Sequence, residues 1–352
     1  MAKNPYLNKI VKTIEVGPKS VAGLLDAMAE TGFQGKKLGQ AARLWLKMLK
    51  DKGIMILLGY TGSLSTTGQW KVINWLIENR YIDVLVPTGA NISEDLVEAA
   101  GDHYWQGSHL ENDSRLYKEG INRYYDVYGR EDDYLKMTEL IAEFILTLNQ
   151  DHKYSTREFL YLFGKWLGKK GINSIVATAA KYGVPIFCPA IPDSPYGDAA
   201  LIAKSRGFNL TIDSIKDYIE FMSLGEKTKD TGVVYIGGGV PKDFIQLLAV
   251  TSDLLYKDRK VPNRKSFLKR KGTDETYYPH KYAIQITTDS PQWGGLSGCT
   301  LEEAISWGKI TNNEDHLTCY CEATIALPLM THAMHEKMGG KKRKGVDFSK
   351  VF

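Results

Sequence analysis

Six short runs of apolar residues recur along the chain, separated by longer stretches in which apolar positions repeat with a helical period. The runs are "IMILLG" at Ile54, "IDVLV" at Ile82, "VPIFCPAI" at Val184, "GVVYIGGG" at Gly232, "YAIQITT" at Tyr282 and "LTCYCEA" at Leu317. Because these runs are short, rich in β-branched residues and not strictly alternating, they predict strands that are buried on both faces of a sheet.

Amphipathic helical patterns fill the intervals between the runs. Examples are "GQWKVINWLIEN" from Gly68, "KMTELIAEFILTLNQ" from Lys136 and "PKDFIQLLAVTSDLL" from Pro241, whose proline suits a first helical turn. Alternating strands and helices predict an α/β fold: a doubly wound, mostly parallel central sheet with helices on both faces.

The organisation of the chain is predicted to be a single domain over residues 1–352. A length of 352 residues with 43% hydrophobic and 24% charged residues is typical of one large globular α/β domain, and no internal repeat or low-complexity linker divides it. The segment at about 104–170 is rich in helical pattern, tyrosine and charge, which indicates an insertion packed on the outside of the sheet. A basic tail occupies residues 338–352.

Charge and cysteine usage exclude several classes of function. The formal net charge of +4 comes from 45 basic and 41 acidic residues, and much of the excess lies in "KKRK" at 341–344, which we expect to be a solvated charge run. The nearly neutral body argues against nucleic-acid binding, and the lack of a signal peptide or an 18-residue apolar run predicts a cytoplasmic protein without a membrane partner. The four cysteines form no CxxC pair, so neither a metal site nor a disulfide framework is predicted.

Glycine, serine, threonine and aspartate follow the first five apolar runs. The stretches are "GYTGSLSTTG", "PTGANISED", "PDSPYGD", "GGGVPKD" and "TDSPQWGGLSG". Ligands of open parallel sheets bind at the carboxyl ends of the strands, and this composition allows close backbone approach to phosphate groups. No stretch matches GxGxxG or a Walker loop, but their convergence at one edge favours a Rossmann-like fold that binds a dinucleotide.

Acidic residues cluster in the same loops. Asp193 and Asp198 flank "SPYG", Glu94 follows "NIS", and Glu303 precedes Lys309 in "EEAISWGKI". Two interpretations stay open: the acids cap helix N-termini, or they converge in a pocket that selects a cationic substrate. Lys309 itself is either an ion-pair partner or a reactive amine.

Several motifs together are similar to those of the deoxyhypusine synthase family. They are "SWGKI" with its upstream Glu303, "GGLSG", "GGGVPK", "LGYTGSL", "DVLV", "SED" and "EATIALPLM". The similarity extends from "TGFQGKKLGQA" at Thr31 to the last helix, and it fits the deoxyhypusine synthase-like branch of bacteria better than the eukaryotic enzyme.

The resemblance implies a specific chemistry. Bound NAD accepts a hydride from spermidine, Lys309 captures the aminobutyl group as an imine while diaminopropane leaves, and an acceptor amine then displaces the lysine before the hydride is returned. A lysine is protonated at neutral pH, so we expect burial beside the Trp307 indole to favour the neutral amine. The resemblance also implies a homotetramer with active sites at the dimer interface.

The resemblance assigns further residues position by position. It implies that Asp198, Glu303 and Trp307 contact the polyamine and that Glu94 lies near the reacting centre. For NAD the matching positions are Gly62, Ser63, Thr66, Thr88, Asp193, Gly237, Thr288, Gly294, Ser297, Cys321 and Glu322.

Two departures from the family pattern concern the substrates. Asp243 replaces a catalytic histidine, and Leu296 replaces an aspartate that helps to bind spermidine. These departures favour a small amine such as putrescine as acceptor, which would make homospermidine. The alternatives are a deoxyhypusine synthase acting on a lysine of a translation factor, and a non-catalytic protein that binds NAD or a polyamine.

Overall fold

The structure is a computed structural model that describes residues 7, 9–226, 228, 230–255, 268–269, 276–349 and 351–352. Its strands are β1 (Ile54–Tyr60), β2 (Val84–Pro87), β3 (Trp105–Gln106), β4 (Ile121–Tyr124), β5 (Val127–Arg130), β6 (Lys153–Tyr154), β7 (Thr211–Ile212), β8 (Asp230–Ile236), β9 (Leu268–Lys269), β10 (Thr276–Tyr277), β11 (Tyr282–Thr287) and β12 (His316–Tyr320). Its α-helices are α1 (Val21–Met28), α2 (Phe33–Lys50), α3 (Trp70–Glu78), α4 (Asp95–Ala99), α5 (Asp113–Lys118), α6 (Glu131–Ile145), α7 (Thr156–Lys169), α8 (Ile175–Tyr182), α9 (Pro195–Ser205), α10 (Ser214–Ser223), α11 (Gly239–Leu255), α12 (Leu301–Ser306) and α13 (Ala323–Met338).

Five strands form the central sheet in the order β12-β11-β8-β1-β2. Every neighbouring pair is parallel, so the carboxyl ends of all five strands lie at one edge. Every residue of β1 and β11 is buried, as expected for strands covered on both faces. The predicted α/β fold with a mostly parallel sheet is therefore confirmed.

The apolar run at Val184 does not form a strand, and that prediction was wrong. Only Ile186 pairs with the sheet, in an isolated parallel bridge to Leu85. Leu85 N–H donates to the Pro185 carbonyl at 3.0 Å, and Phe187 N–H donates to the Leu85 carbonyl at 3.0 Å. Pro185 has no N–H to donate and Pro189 follows closely, so the pairing cannot extend into a ladder.

Two hydrophobic clusters cover the two faces of the sheet. Alternate residues of β1 enter different clusters: Ile56 packs with residues of α2, α3 and α13, whereas Leu57 packs with residues of α10 and α11. This alternation follows from the two-residue period of a strand. Within the described ranges, no helix is long and apolar enough to cross a bilayer.

The segment at about 104–170 contains more than the helices expected from its pattern. Strands β3, β5 and β4 form a separate antiparallel sheet in that order, which the hydrophobic pattern did not predict. Phe144 of α6 and Phe163 of α7 belong to the same cluster as Ile56 of β1. The segment thus shares the core on one face of the central sheet.

The basic tail is not wholly a solvated charge run, so this expectation was wrong for Arg343. Its side chain is 7% exposed, and its guanidinium Nη1 lies 2.7 Å from Oδ2 of the fully buried Asp83. Val346 N–H donates to the other Asp83 oxygen at 2.9 Å. A buried carboxylate needs such partners, and the tail supplies them.

Candidate active site

A cavity of about 780 Å³ opens at the carboxyl edge of the central sheet. Its lining comes from the residues that follow β1, β8, β11 and β12, together with the turn between β4 and β5. Eight of the predicted NAD-binding residues line it: Gly62, Ser63, Thr66, Gly237, Thr288, Ser297, Cys321 and Glu322.

Glycines let the backbone segments around this cavity approach one another closely. Gly237 has a φ of 74°, and a side chain there would overlap Thr61. A Cβ on Gly238 would overlap the backbone of Ser297. The loops therefore form a cradle lined by glycine and hydroxyl residues, a composition that fits the phosphates and riboses of a dinucleotide.

Asn91 holds the first loop of the cradle and was not singled out by the sequence. Its fully buried side chain accepts from Leu64 N–H at 3.0 Å and donates to the Gly62 carbonyl and, at 2.9 Å, to Thr88 Oγ1. Thr88 does not line the cavity but is linked to Gly62 in this way. The available signal was the position of Asn91 in "PTGANISED", the stretch that follows the second apolar run.

Glu94 lies beneath the same loop. Ser63 Oγ donates to Glu94 Oε2 at 2.7 Å, and the Glu94 residue is only 5% exposed. Burial raises the pKa of Glu94 to about 7, although the bond from Ser63 opposes the shift. Burial likewise raises the pKa of the adjacent Asp95 to about 7. A carboxyl group of this kind is able to donate or accept a proton near neutral pH.

The capping interpretation does not account for Glu94 or Asp198. Glu94 precedes α4 without a side-chain capping bond, and Asp198 lies inside the first turn of α9, whose N-cap is Ser194. Instead, the Tyr134 hydroxyl donates to Asp198 Oδ2 at 3.1 Å, which brings α6 of the 104–170 segment beside α9.

Lys309 lies just after the C-terminal end of α12. Gly308, with a φ of 73°, follows the helix, and the bond from His280 N–H to the Lys309 carbonyl at 2.9 Å holds the backbone in place. Lys309 Nζ donates to Asp243 Oδ1 at 2.8 Å, and its side chain is 14% exposed. The Trp307 ring centroid lies 5.5 Å from Nζ, but the indole is 68% exposed. In the single chain, the Lys309 amine therefore contacts the Asp243 carboxylate, and the exposed Trp307 indole does not enclose it as expected from the sequence.

Lys242, next to Asp243, is a second lysine of this region that sequence reasoning missed. It is fully buried and donates to Gln285 Oε1 at 3.0 Å, to the Leu296 carbonyl at 3.3 Å and to the Cys299 carbonyl. Burial lowers the pKa of Lys242. Gln285 in turn donates to the Ser297 carbonyl at 2.9 Å, so this pair holds the loop on which Leu296 and Ser297 lie.

The remaining predicted residues lie around these groups. Glu303 is exposed in the first turn of α12, where Thr300 Oγ1 caps its N–H at 3.0 Å. Burial raises the pKa of the Cys299 thiol, and a hydrogen bond to Glu303 raises it further. Asp193 is exposed and Gly294 has a φ of 70°, and neither lines the cavity.

The acidic residues form two separate groups in one chain. Glu94 contacts Ser63, whereas Asp243 contacts Lys309. Across the part of the chain that the structure describes, no hydrogen bond or ion pair joins Glu94 or Asp198 to Lys309 or Asp243. Ser63, the partner of Glu94, lines the strand-end cavity, whereas neither Lys309 nor Asp243 is among the residues that line it.

A parallel sheet with a hydroxyl-rich cavity at its carboxyl edge defines a dinucleotide-binding α/β protein, and comparisons identify the family. The deoxyhypusine synthase family model matches residues 23–334. The "Probable deoxyhypusine synthase 2" of Methanosarcina mazei is 44% identical over 351 residues, covering 99% of this chain and 96% of that protein. The "Deoxyhypusine synthase-like protein" of Elusimicrobium minutum is 35% identical over 354 residues, covering 98% of this chain and 89% of that protein.

The chain belongs to the deoxyhypusine synthase family, whose members transfer aminobutyl groups and depend on NAD. The resemblance carried by "SWGKI" is thus confirmed. The fold agrees: a crystal structure described as a deoxyhypusine synthase from Entamoeba histolytica has a TM-score of 0.59 at 18% identity, covering 92% of this chain and 94% of that one.

Proposed function

We propose that the chain transfers the aminobutyl group of spermidine, through an imine on Lys309, to a small amine such as putrescine, and so makes homospermidine. The observation that carries the proposal is the 2.8 Å contact between Lys309 Nζ, just after α12, and Asp243, near the N-terminal end of α11. An amine next to a carboxylate has a partner that can take and return its proton.

The proposed reaction forms and breaks bonds at one spermidine carbon, the one next to the secondary amine. The cavity residues Ser63, Gly237 and Ser297 would hold NAD, which would supply a reversible hydride acceptor for that carbon. Lys309 Nζ forms a bond to that carbon, and the bond to the secondary nitrogen breaks as diaminopropane leaves. The nitrogen of the acceptor then replaces Lys309 Nζ on the same carbon, which frees the lysine.

Asp243 offers Lys309 a proton acceptor. Its Oδ1 accepts a hydrogen bond from Lys309 Nζ at 2.8 Å, so a proton released by the amine has a short path to the carboxylate. Glu303 and Asp198 supply carboxylates for the substrate ammonium groups.

The two departures from the family pattern support a small amine as acceptor. Family members that form deoxyhypusine carry a histidine at the position of Asp243 and an aspartate at that of Leu296. At residue 296 only the backbone carbonyl interacts with the buried Lys242, and the side chain offers no charge to an ammonium. One polyamine anchor is therefore absent, which is consistent with a different pair of substrates.

We propose that two protomers of a homotetramer complete each site at a dimer interface. The group around Glu94 and Asp198 in one protomer would face the group around Lys309 in its partner. The exposed side chains of Trp307 and Trp293, at 68% and 77%, support this arrangement because large aromatic side chains on a surface favour an interface.

Product analysis tests the proposal. The purified protein is incubated with NAD and spermidine labelled in the aminobutyl part, with putrescine or with a candidate translation factor. We expect labelled homospermidine, and borohydride reduction should trap the fragment on Lys309. Label transferred to the translation factor, with no homospermidine, would support the deoxyhypusine synthase alternative. Absence of any adduct on Lys309 would support a non-catalytic protein that binds NAD or a polyamine.

A further inference from the structure

The turn between β4 and β5 reaches the strand-end cavity from the 104–170 segment. Tyr124 pairs with Val127, which leaves Tyr125 and Asp126 as a two-residue turn. Tyr124 and Tyr125 both line the cavity, and they are the aromatic residues among the described residues that do so. The other lining residues are mostly small, hydroxyl-bearing or aliphatic, so these two supply its flat aromatic surfaces.

Tyr125 adopts an unusual backbone conformation and keeps part of its ring exposed. Its φ is 56°, a conformation that glycine favours at such turns and that tyrosine rarely adopts. The ring is stacked on His109, with centroids 5.0 Å apart and an interplanar angle of 20°, yet the residue is 66% exposed. One face is therefore covered by the imidazole while much of the ring remains accessible.

Hydrogen bonds fix the turn to its surroundings. Arg123 Nη1 donates to the Tyr125 carbonyl at 2.9 Å, and the same guanidinium is paired with Asp113 at 2.6 Å. Tyr124 packs edge-on against Tyr104, whose hydroxyl donates to the Glu94 carbonyl at 3.0 Å. The turn is thereby connected to the loop that carries Glu94 and is not a free surface hairpin.

We propose that Tyr125 stacks on one planar ring of the bound dinucleotide, so that His109, Tyr125 and that ring form a three-layer stack. Hydroxyls and backbone groups suit the phosphates and riboses, but a heteroaromatic ring gains most from a flat partner. An unfavourable backbone conformation retained at a ligand cavity is a common sign of such a role. This inference rests on the dinucleotide occupying the strand-end cavity.

Direct binding of NAD to the full-length chain, measured by calorimetry, tests the stack. Tyr125→Gly removes the ring while relieving the positive φ, so the unfolding midpoint should not fall. We expect its Kd for NAD to rise about tenfold, within the range of base–aromatic stacking. Tyr125→Phe keeps the ring and should bind NAD as the unchanged protein does. An unchanged Kd in Tyr125→Gly, or an equal loss in both variants, would overturn the stack.

Two further measurements determine which ring of NAD is stacked and whether NAD binds in the strand-end cavity. AMP and nicotinamide mononucleotide are titrated separately into the unchanged protein and into Tyr125→Gly. We expect only one of them to bind more weakly to Tyr125→Gly, and that nucleotide carries the stacked ring. No loss for either would contradict the proposal. Ala323→Trp fills the cavity from the start of α13: if it abolishes NAD binding while Tyr125→Gly does not, only the stack fails. If neither variant affects binding, the cavity assignment itself fails.

Discussion

At the scale of single residues, the proposed mechanism depends on the contact between Lys309 and Asp243. The pair is partly buried, with side chains 14% and 40% exposed. In the proposal, the carboxylate takes up the proton that the amine loses before it attacks the imine.

Asp243→Asn removes the charge and keeps the size of the side chain. We expect borohydride trapping of the aminobutyl fragment on Lys309 to slow by about 100-fold, the scale of lost general base catalysis, with NAD binding retained. Asp243→His introduces the residue of the family pattern and should trap faster than the asparagine variant. Asp132→Asn, at an exposed aspartate of α6 that does not line the strand-end cavity, is the matched control. Trapping at the original rate in Asp243→Asn would remove Asp243 from the mechanism.

The buried carboxyl group of Glu94 makes stability depend on pH. Its pKa in the folded chain is about 7 against 4.5 for the ordinary group, so the folded state binds more protons between these values. Stability then falls as pH rises from 4.5 to 7, by about 3 kcal/mol for this shift. Glu94→Gln should be stabilised relative to the unchanged chain as pH rises through this window. Urea unfolding at pH 5 and pH 8 measures the difference.

Asp95 and Glu302 provide further controls for the pH dependence of Glu94→Gln. Asp95 titrates in the same range, so a residual pH dependence is expected in Glu94→Gln and should shrink further in a double variant with Asp95→Asn. Glu302→Gln is the control because its side chain is 67% exposed. If Glu94→Gln and Glu302→Gln gave the same pH profile, Glu94 would not be titrating near 7.

At the scale of elements, the sequence predicted where the site would lie better than how it is held together. Loops after β1, β8 and β11 were predicted because apolar runs followed by glycine and hydroxyl residues have a local signature. The positions of Asn91, Lys242 and Tyr125 depend on contacts between segments far apart in the chain. No periodic pattern encodes these contacts. The run at Val184 failed for a local reason, since two prolines interrupt its hydrogen bonding.

Lys242→Met tests whether the buried lysine holds the loop after β11. The substitution leaves the carbonyls of Leu296 and Cys299 and the Gln285 amide without their donor, which should cost about 1–3 kcal/mol of unfolding free energy. NAD affinity should also fall because Ser297 loses its fixed position. Lys341→Met, at an exposed lysine, should change neither quantity. Unchanged stability and NAD affinity in Lys242→Met would show that the loop is held by other contacts.

At the scale of the whole molecule, the C-terminal tail contributes to the fold. Arg343→Ala removes a guanidinium from the fully buried Asp83, and we expect a loss of about 3 kcal/mol in unfolding free energy because a buried charge loses a partner. Arg80, 3.6 Å from the same carboxylate, limits the loss. Lys344→Ala is the control, since Lys344 is exposed. Equal urea midpoints for the two variants would mean that the ion pair adds no stability.

Mixing two inactive variants tests whether one active site draws residues from two protomers. Lys309→Ala removes the proposed nucleophile, and Glu94→Ala removes a carboxyl group of the other group of acidic residues. When the variants are unfolded together and reassembled at random, half of the dimers are hybrids, and one of the two shared sites in each hybrid is intact. We expect about a quarter of the original aminobutyl-transfer activity in the mixture.

The opposite outcome, no recovery of activity in the mixture, would contradict a site shared between protomers. If each site were built within one chain, every site in the mixture would carry a defect, and activity would stay at the level of the separate variants. A mixture of Lys309→Ala with Asp243→Ala is the matched control, because both residues belong to one contacting pair and no hybrid site can recover both. Recovery with Glu94→Ala but not with Asp243→Ala would place the Glu94 group and the Lys309 group of each site on different protomers.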